Sequence, residues 1–172
     1  MNLRPQAGEY HDHLLAYIGL VPEGNLIDIL EKQGENTRAL LASLSEAQGN
    51  HRYAPDKWTV KETIGHITDN ERIMSYRLLR IARGDDTPLP GYNQDDLMSG
   101  SPFADWSVGQ LLEDYLAVRR ATLTLLRGLQ ESAWTRSGTA SGHSVSARAL
   151  ACFIAGHELH HLNILRERYG IG

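Results

Sequence analysis

The stretch Leu150-Ala151-Cys152-Phe153-Ile154-Ala155-Gly156-His157-Glu158-Leu159-His160-His161-Leu162-Asn163-Ile164-Leu165 decides the fold. Its apolar residues return every three or four positions, the period of an α-helix with a buried face. At about 100° per residue, Leu150, Phe153, Ile154 and Ile164 fall within about 60° of His157, and His161 lies roughly 40° from it, one turn on. Two imidazoles therefore sit in the middle of a buried stripe, where each is costly unless it finds a partner. The helix that carries them begins near Ser144 or Ser146 and ends at Tyr169–Gly170.

The same period recurs upstream. A short first helix covers Glu9 to Ile18 and stops near Gly19 and Pro22. A second runs from Asn25 to Leu44, with Leu26, Ile29, Leu30, Thr37, Leu40, Leu41 and Leu44 stepping by three or four. Thr59 followed by Glu62 has the form of a capping box that opens a third helix, which runs to Arg83 and stops at Gly84. Ser107 caps a fourth, striped by Leu111, Leu112, Tyr115, Val118, Leu125 and Leu126. No sustained alternation of apolar and polar residues marks a strand, and Ser137 to Ser146 has the composition of an ordinary interhelical loop. The expectation is an all-α chain: four long helices in a bundle, one short N-terminal helix, and a long crossover loop.

That crossover, from Gly84 to Trp106, holds Pro88, Pro90, Gly91 and Pro102 together with Asp85–Asp86 and Asp95–Asp96. Connections longer than about 12–15 residues are often binding loops, so part of it is a candidate for function. The 172 residues suit one domain, 1–172, with an ordinary 41% of hydrophobic residues. A net charge of −4 disfavours nucleic acid as a partner. A single cysteine, Cys152, excludes a disulfide framework and a four-cysteine zinc site. No apolar run reaches the roughly 18–20 residues needed to span a bilayer, and Met1 to Glu9 has no apolar signal core. A cytoplasmic protein without a membrane partner is expected.

Histidine is the unusual residue: there are eight. The i,i+4 spacing of His157 and His161 lets two imidazole nitrogens converge on one divalent ion, which satisfies both at once. Glu158 and His160 lie about 80° to either side of that pair, so each either borders the site or is an exposed helix position, and exposure is the expectation. The string also fits the H-E-x-x-H pattern of metalloproteases. The chain ends eleven residues later, too soon for the downstream ligand of the common zincins, and the expected sheet is missing. A third ligand must come from upstream, from among His11, His13, His51, His66 and His143. His66 is the best placed, inside a long helix at the margin of its apolar stripe. Three imidazoles with open positions suit a catalytic metal rather than a closed structural one. Arg72, Arg77, Arg80 and Arg83 crowd the end of the third helix, where a solvated basic terminus is expected. Cys152 lies roughly 140° from His157 and is expected in the core, away from any ligand role.

The segment Arg52-Tyr53-Ala54-Pro55-Asp56-Lys57-Trp58-Thr59-Val60-Lys61-Glu62, running into Gly65-His66, resembles the DinB-like superfamily of metal-dependent enzymes, the DinB/YfiT group. So do Ala82-Arg83-Gly84-Asp85 with Thr87-Pro88-Leu89-Pro90-Gly91, and Ile154-Ala155-Gly156-His157-Glu158-Leu159-His160-His161. The resemblance spans about residues 8 to 170. It implies an up-down-down-up four-helix bundle whose metal is held by three histidines, here His66, His157 and His161. It also implies nickel or zinc as the ion and a homodimer as the assembly. Some members of the group use a low-molecular-weight thiol such as bacillithiol or mycothiol. The expected function is a metal-dependent hydrolase or thiol-dependent S-transferase acting on a small-molecule substrate, in which the ion lowers the pKa of a water or thiol. Asn70, Gln94, Asp95 and His160 are the expected contacts around the metal or substrate. The alternative is a non-catalytic metal-binding module or dimeric scaffold.

Overall fold

The computed structural model describes residues 4–172. A 3-10 turn at Asp12–Leu14 leads into α1 (Leu15–Leu20), followed by α2 (Leu26–Ser43), the single turn α3 (Glu46–Gly49) and α4 (Val60–Ala82). Next come α5 (Gln94–Ser99), α6 (Val108–Arg127), a second 3-10 turn (Glu131–Ala133), strands β1 (Ser137–Ala140) and β2 (His143–Ser146), and α7 (Ala147–Tyr169). Among the described residues, no helix is long and apolar enough to cross a membrane.

The ends of the long helices follow the side chains that cap them. The Thr59 hydroxyl accepts the Glu62 amide while the Glu62 carboxylate accepts the Thr59 amide, and Ser107 and Gln110 repeat the box on α6. Asn25 and Ser146 cap α2 and α7. Each cap satisfies an amide that the helix itself leaves unpaired. At the far end of α7, Gly170 takes a φ of 66°, the left-handed conformation that closes a helix most cheaply on glycine.

Contacts between helices fix their directions. The Tyr169 hydroxyl donates to the Trp58 carbonyl just before α4, and Arg136, shortly before α7, donates to the Ala82 carbonyl at the end of α4, so α4 and α7 are antiparallel. Lys61 and the Val108 amide both reach the Glu46 carboxylate, which puts the starts of α4 and α6 side by side. Glu31 near the start of α2 pairs with Arg127 at the end of α6. Gln33 and Thr37 of α2 meet Ala155 and Glu158 of α7 in ascending order. The bundle is therefore up-down-down-up. Because the adjacent helices α4 and α6 run the same way, the chain must cross the length of the bundle between them, which is why residues 83–107 are long.

The core has two apolar halves. One is built around Leu30, Leu78, Leu126, Leu150 and Ile154, the other around Leu41, Ile64, Ile67, Leu111 and Leu165. Between them lies a buried polar layer. Arg119, 2% exposed, reaches Glu71 through Nε and Nη2, Glu158 through Nη2 (2.6 Å), and the Leu30 carbonyl through Nη1. The hydroxyls of Thr37 and Tyr115 donate to the other Glu158 oxygen, each at 2.6 Å.

Two expectations are corrected. The first helix does not begin at Glu9. The Glu9 carboxylate instead accepts from Arg148 and the Ser146 hydroxyl, and its carbonyl accepts the Ser146 amide, tying the N-terminal segment to the entrance of α7. Ser137 to Ser146 is not a plain loop but an antiparallel hairpin with Ala140 opposite His143. Its two turn residues, Ser141 and Gly142, both have positive φ (51° and 81°), the geometry whose twist matches paired strands. Gly138 fits there because a Cβ would stand 2.7 Å from the Ile81 side chain. The crossover is structured as well. Leu89 bridges to the hairpin through its amide and carbonyl, Asn93 caps α5, and the Phe103 ring packs where a Gly65 Cβ would be.

Candidate metal centre

α4 and α7 lie antiparallel, and each brings histidine to the same point. His66 stands in the second turn of α4, and His157 and His161 one turn apart on α7. His66 and His157 are buried, 5% exposed each, and His161 is half-buried. The Nε2 of His157 is 3.1 Å from that of His66 and 3.2 Å from that of His161. A neutral ring nitrogen carries either one proton or one lone pair, so the His157 atom can make only one of these contacts a hydrogen bond. The other is uncompensated. A cation at the centre satisfies all three, and one ligand atom from each residue lies within 4.8 Å of the others. The donor set therefore fits a divalent ion of the imidazole-binding kind.

Electrostatics keeps the rings ready to ligate. Burial pushes His66 down to about 4, although Asp95 opposes it. Burial, helped by positive charge on neighbouring histidines, takes His161 to about 3 and His157 to about 2. At neutral pH all three are uncharged with lone pairs available, the form a metal requires.

The trio is open on two sides. His157 faces a cavity of about 570 Å³ lined by Tyr17, Asn70, Arg77 and Tyr92. His161 faces a second, of about 470 Å³, lined by Trp58 and Tyr169. Gln94 and Asp95, the first residues of α5, line both. The crossover is thus part of the site. Asn70 donates to the Tyr92 hydroxyl at 2.8 Å, and its buried Oδ1 has no hydrogen-bond partner among the described residues. Over the trio, α1 presses close: a Cβ on Gly156 would be 2.1 Å from the Tyr17 carbonyl oxygen, and the Tyr17 ring sits beside His157 and His160.

The structure brings His66, His157 and His161 together and places Asn70, Gln94 and Asp95 around their cavities. His160 is half-buried with its ring 5.0 Å from that of His161. His51 packs near Tyr169, apart from the trio, and His11, His13 and His143 form a group of their own. Cys152 is buried on the side of α7 facing Leu26 and Ile29, its thiol pushed up to about 11 by burial. Two positions expected to be exposed prove buried. Glu158, 1% exposed, is held by Arg119 in the polar layer, so the glutamate of the H-E-x-x-H string is committed to the bundle interior. Arg77 is also buried, donating to the Pro90 carbonyl and the Ser141 hydroxyl with its guanidinium near the Tyr92 ring, whereas Arg72 and Arg80 pair with aspartates as a solvated helix end would. Sequence spacing missed Tyr17, Tyr92 and Arg77 as cavity residues: Tyr92 lies in the crossover, which carries no periodic signal, whereas Tyr17 on α1 and Arg77 on α4 reach the cavity only through the packing of α1 and of the crossover against the bundle.

A helical bundle with three neutral imidazoles converging at a cavity wall defines a three-histidine centre able to hold a divalent metal. The DinB superfamily profile matches residues 29–165, and the chain belongs to that superfamily. Among solved structures it is similar to YfiT from Bacillus subtilis, a probable metal-dependent hydrolase with an unusual four-helix bundle topology. The TM-score is 0.74 at 17% identity, with 100% of both chains covered. It also resembles the mycothiol-dependent maleylpyruvate isomerase (TM-score 0.65, 15% identity), sharing 80% of its own length and 58% of that protein's. A mutant of that isomerase gives a TM-score of 0.67 at 14% identity, over 86% of this chain and 60% of the mutant's. At these identities the likeness is one of fold. No curated protein matches the sequence.

Proposed function

We propose that the chain is a metal-dependent enzyme in which His66, His157 and His161 hold one nickel or zinc ion, and that it hydrolyses a small molecule or transfers a low-molecular-weight thiol to it. The observation that carries this reading is the convergence of three uncharged Nε2 atoms at a point where His157 lines one cavity and His161 another. A structural ion is enclosed by its ligands, whereas a catalytic one keeps an open position. The ion would supply Lewis-acid activation of a nucleophile and of the substrate group it polarises.

The chain's own residues bind and orient. The unpaired Oδ1 of Asn70 accepts a hydrogen bond from the ligand, and the Tyr92 hydroxyl stands next to it. Asp95, between the two cavities, offers a carboxylate beside His66 for a proton in transit. Tyr17 and Phe153 shield the inner wall from water. The two likenesses, to a probable metal-dependent hydrolase and to a thiol-dependent isomerase, support the two reaction types without choosing between them.

The test is the metal content of untagged, dialysed protein. About one tightly held ion per chain in the wild type and none in His157→Ala is the expected result. Exogenous azide or thiol should then change the visible spectrum of the cobalt-loaded protein. A tight ion retained by His157→Ala would remove this centre from the mechanism.

A further inference from the structure

A second group of imidazoles stands on the rim of the larger cavity. His11 and His13 flank the start of the N-terminal 3-10 turn, and His143 opens β2 directly after the Ser141–Gly142 turn. The ring of His11 lies 4.0 Å from that of His143 and 4.9 Å from that of His13, and the third pair is 5.2 Å apart, centroid to centroid. The Nδ1 atoms of His11 and His13 are 2.8 Å apart, and the three residues offer ligand atoms that all fall within 4.8 Å of one another.

Nothing in core packing asks for this arrangement. His11 and His13 are exposed, and water could solvate each ring separately. Among the described residues, no carboxylate bonds or pairs with any of the three. The backbone beneath them is nonetheless fixed, because the Glu9 carbonyl accepts the Ser146 amide and the Glu9 carboxylate accepts from the Ser146 hydroxyl and Arg148. All three side chains line the cavity whose inner wall is His157.

We propose that His11, His13 and His143 form a second divalent transition-metal site, at the mouth of that cavity and separate from the centre on α4 and α7. Three imidazoles with solvent in the remaining positions suit nickel, zinc or copper. Being open to solvent, the site holds its ion less tightly than the buried trio. A loaded rim places a second cation on the cavity that leads to His157, where it can meet the far end of a bound ligand.

Chelator-stripped, untagged full-length protein titrated with nickel chloride in a calorimeter tests this. Two binding events per chain are expected. His13→Ala and His143→Ala should each weaken the second event at least tenfold and leave the first unchanged, with an unaltered circular dichroism spectrum. His157→Ala should abolish the tight event and keep the weaker one. A single event that only His157→Ala removes would overturn the proposal, as would a second event that survives in both rim variants. A single event removed only by the rim variants would uphold this site and overturn the reading of the buried trio.

Discussion

Acidifying the metal-free protein should destabilise it steeply, well above the pH at which carboxylates titrate. In the folded state His66, His161 and His157 are held at about 4, 3 and 2, whereas an unfolded histidine titrates near about 6.5. Their folded pKa values lie below the unfolded ones, so the unfolded chain binds more protons between them. Stability is then complete above about pH 6.5 and is lost as the pH falls towards the folded values. At pH 5 an unfolded histidine is almost fully protonated and the buried trio almost fully neutral, which amounts to about 2 kcal/mol per ring relative to pH 7 at about 1.4 kcal/mol per pKa unit. Three rings give a ceiling of about 6 kcal/mol, comparable with the entire stability of many domains. Below pH 6 the slope approaches about 4 kcal/mol per pH unit. His13 adds to it in the same direction, since its pKa is also lowered. Guanidinium unfolding in the presence of chelator at pH 7, 6 and 5 measures the slope directly. His157→Ala should reduce it by up to one proton, an average of about 1 kcal/mol per pH unit between pH 7 and 5. A stability that is flat from pH 7 to 5, or a variant whose slope equals that of the wild type, would refute the account of three buried neutral rings.

Other consequences are as specific. Replacing Glu158 with Gln leaves Arg119 short of one of its two carboxylates; breaking a buried pair of this kind costs about 3–5 kcal/mol. Metal content should be unchanged, and denaturation with elemental analysis reads both. Gly156→Ala drives a Cβ into the Tyr17 carbonyl, so α1 must lift from α7 at a cost of about 1–3 kcal/mol, seen as a lower melting temperature and faster proteolysis between residues 4 and 20. Nickel or zinc at a thousand times the dissociation constant of the buried centre should raise wild-type stability by about 4 kcal/mol through that centre, and His66→Ala should lose that contribution.

The bundle was legible because its signals are local. Thr59 with Glu62, Ser107 with Gln110, and Gly170 announce helix ends through bonds that span three or four residues. The i,i+4 pair of His157 and His161 is equally local, which is why two of the three converging imidazoles could be read from spacing. His66 could only be ranked against other histidines, because its approach to His157 depends on α4 and α7 being antiparallel, a property of the packed bundle. The hairpin escaped for the opposite reason. Its strands are four residues long, rich in Ser and Gly, and held by Leu89 from a distant loop.

Glu158 shows where wheel geometry stops. A wheel assumes one buried face and one wet face, but Ala149 to Glu158 of α7 are buried without interruption, because α1, α2 and α4 all press on this helix. On such a helix an angle from the histidines says which neighbour a side chain faces, not whether it meets water. The histidines turn to α4, and Glu158 turns to the Arg119 guanidinium and the hydroxyls of Thr37 and Tyr115. The H-E-x-x-H string thus joins two functions of one helix: its histidines converge with His66, and its glutamate closes the polar layer between the two halves of the core. A general base would have to share the histidines' cavity, and Asp95 does so where Glu158 does not.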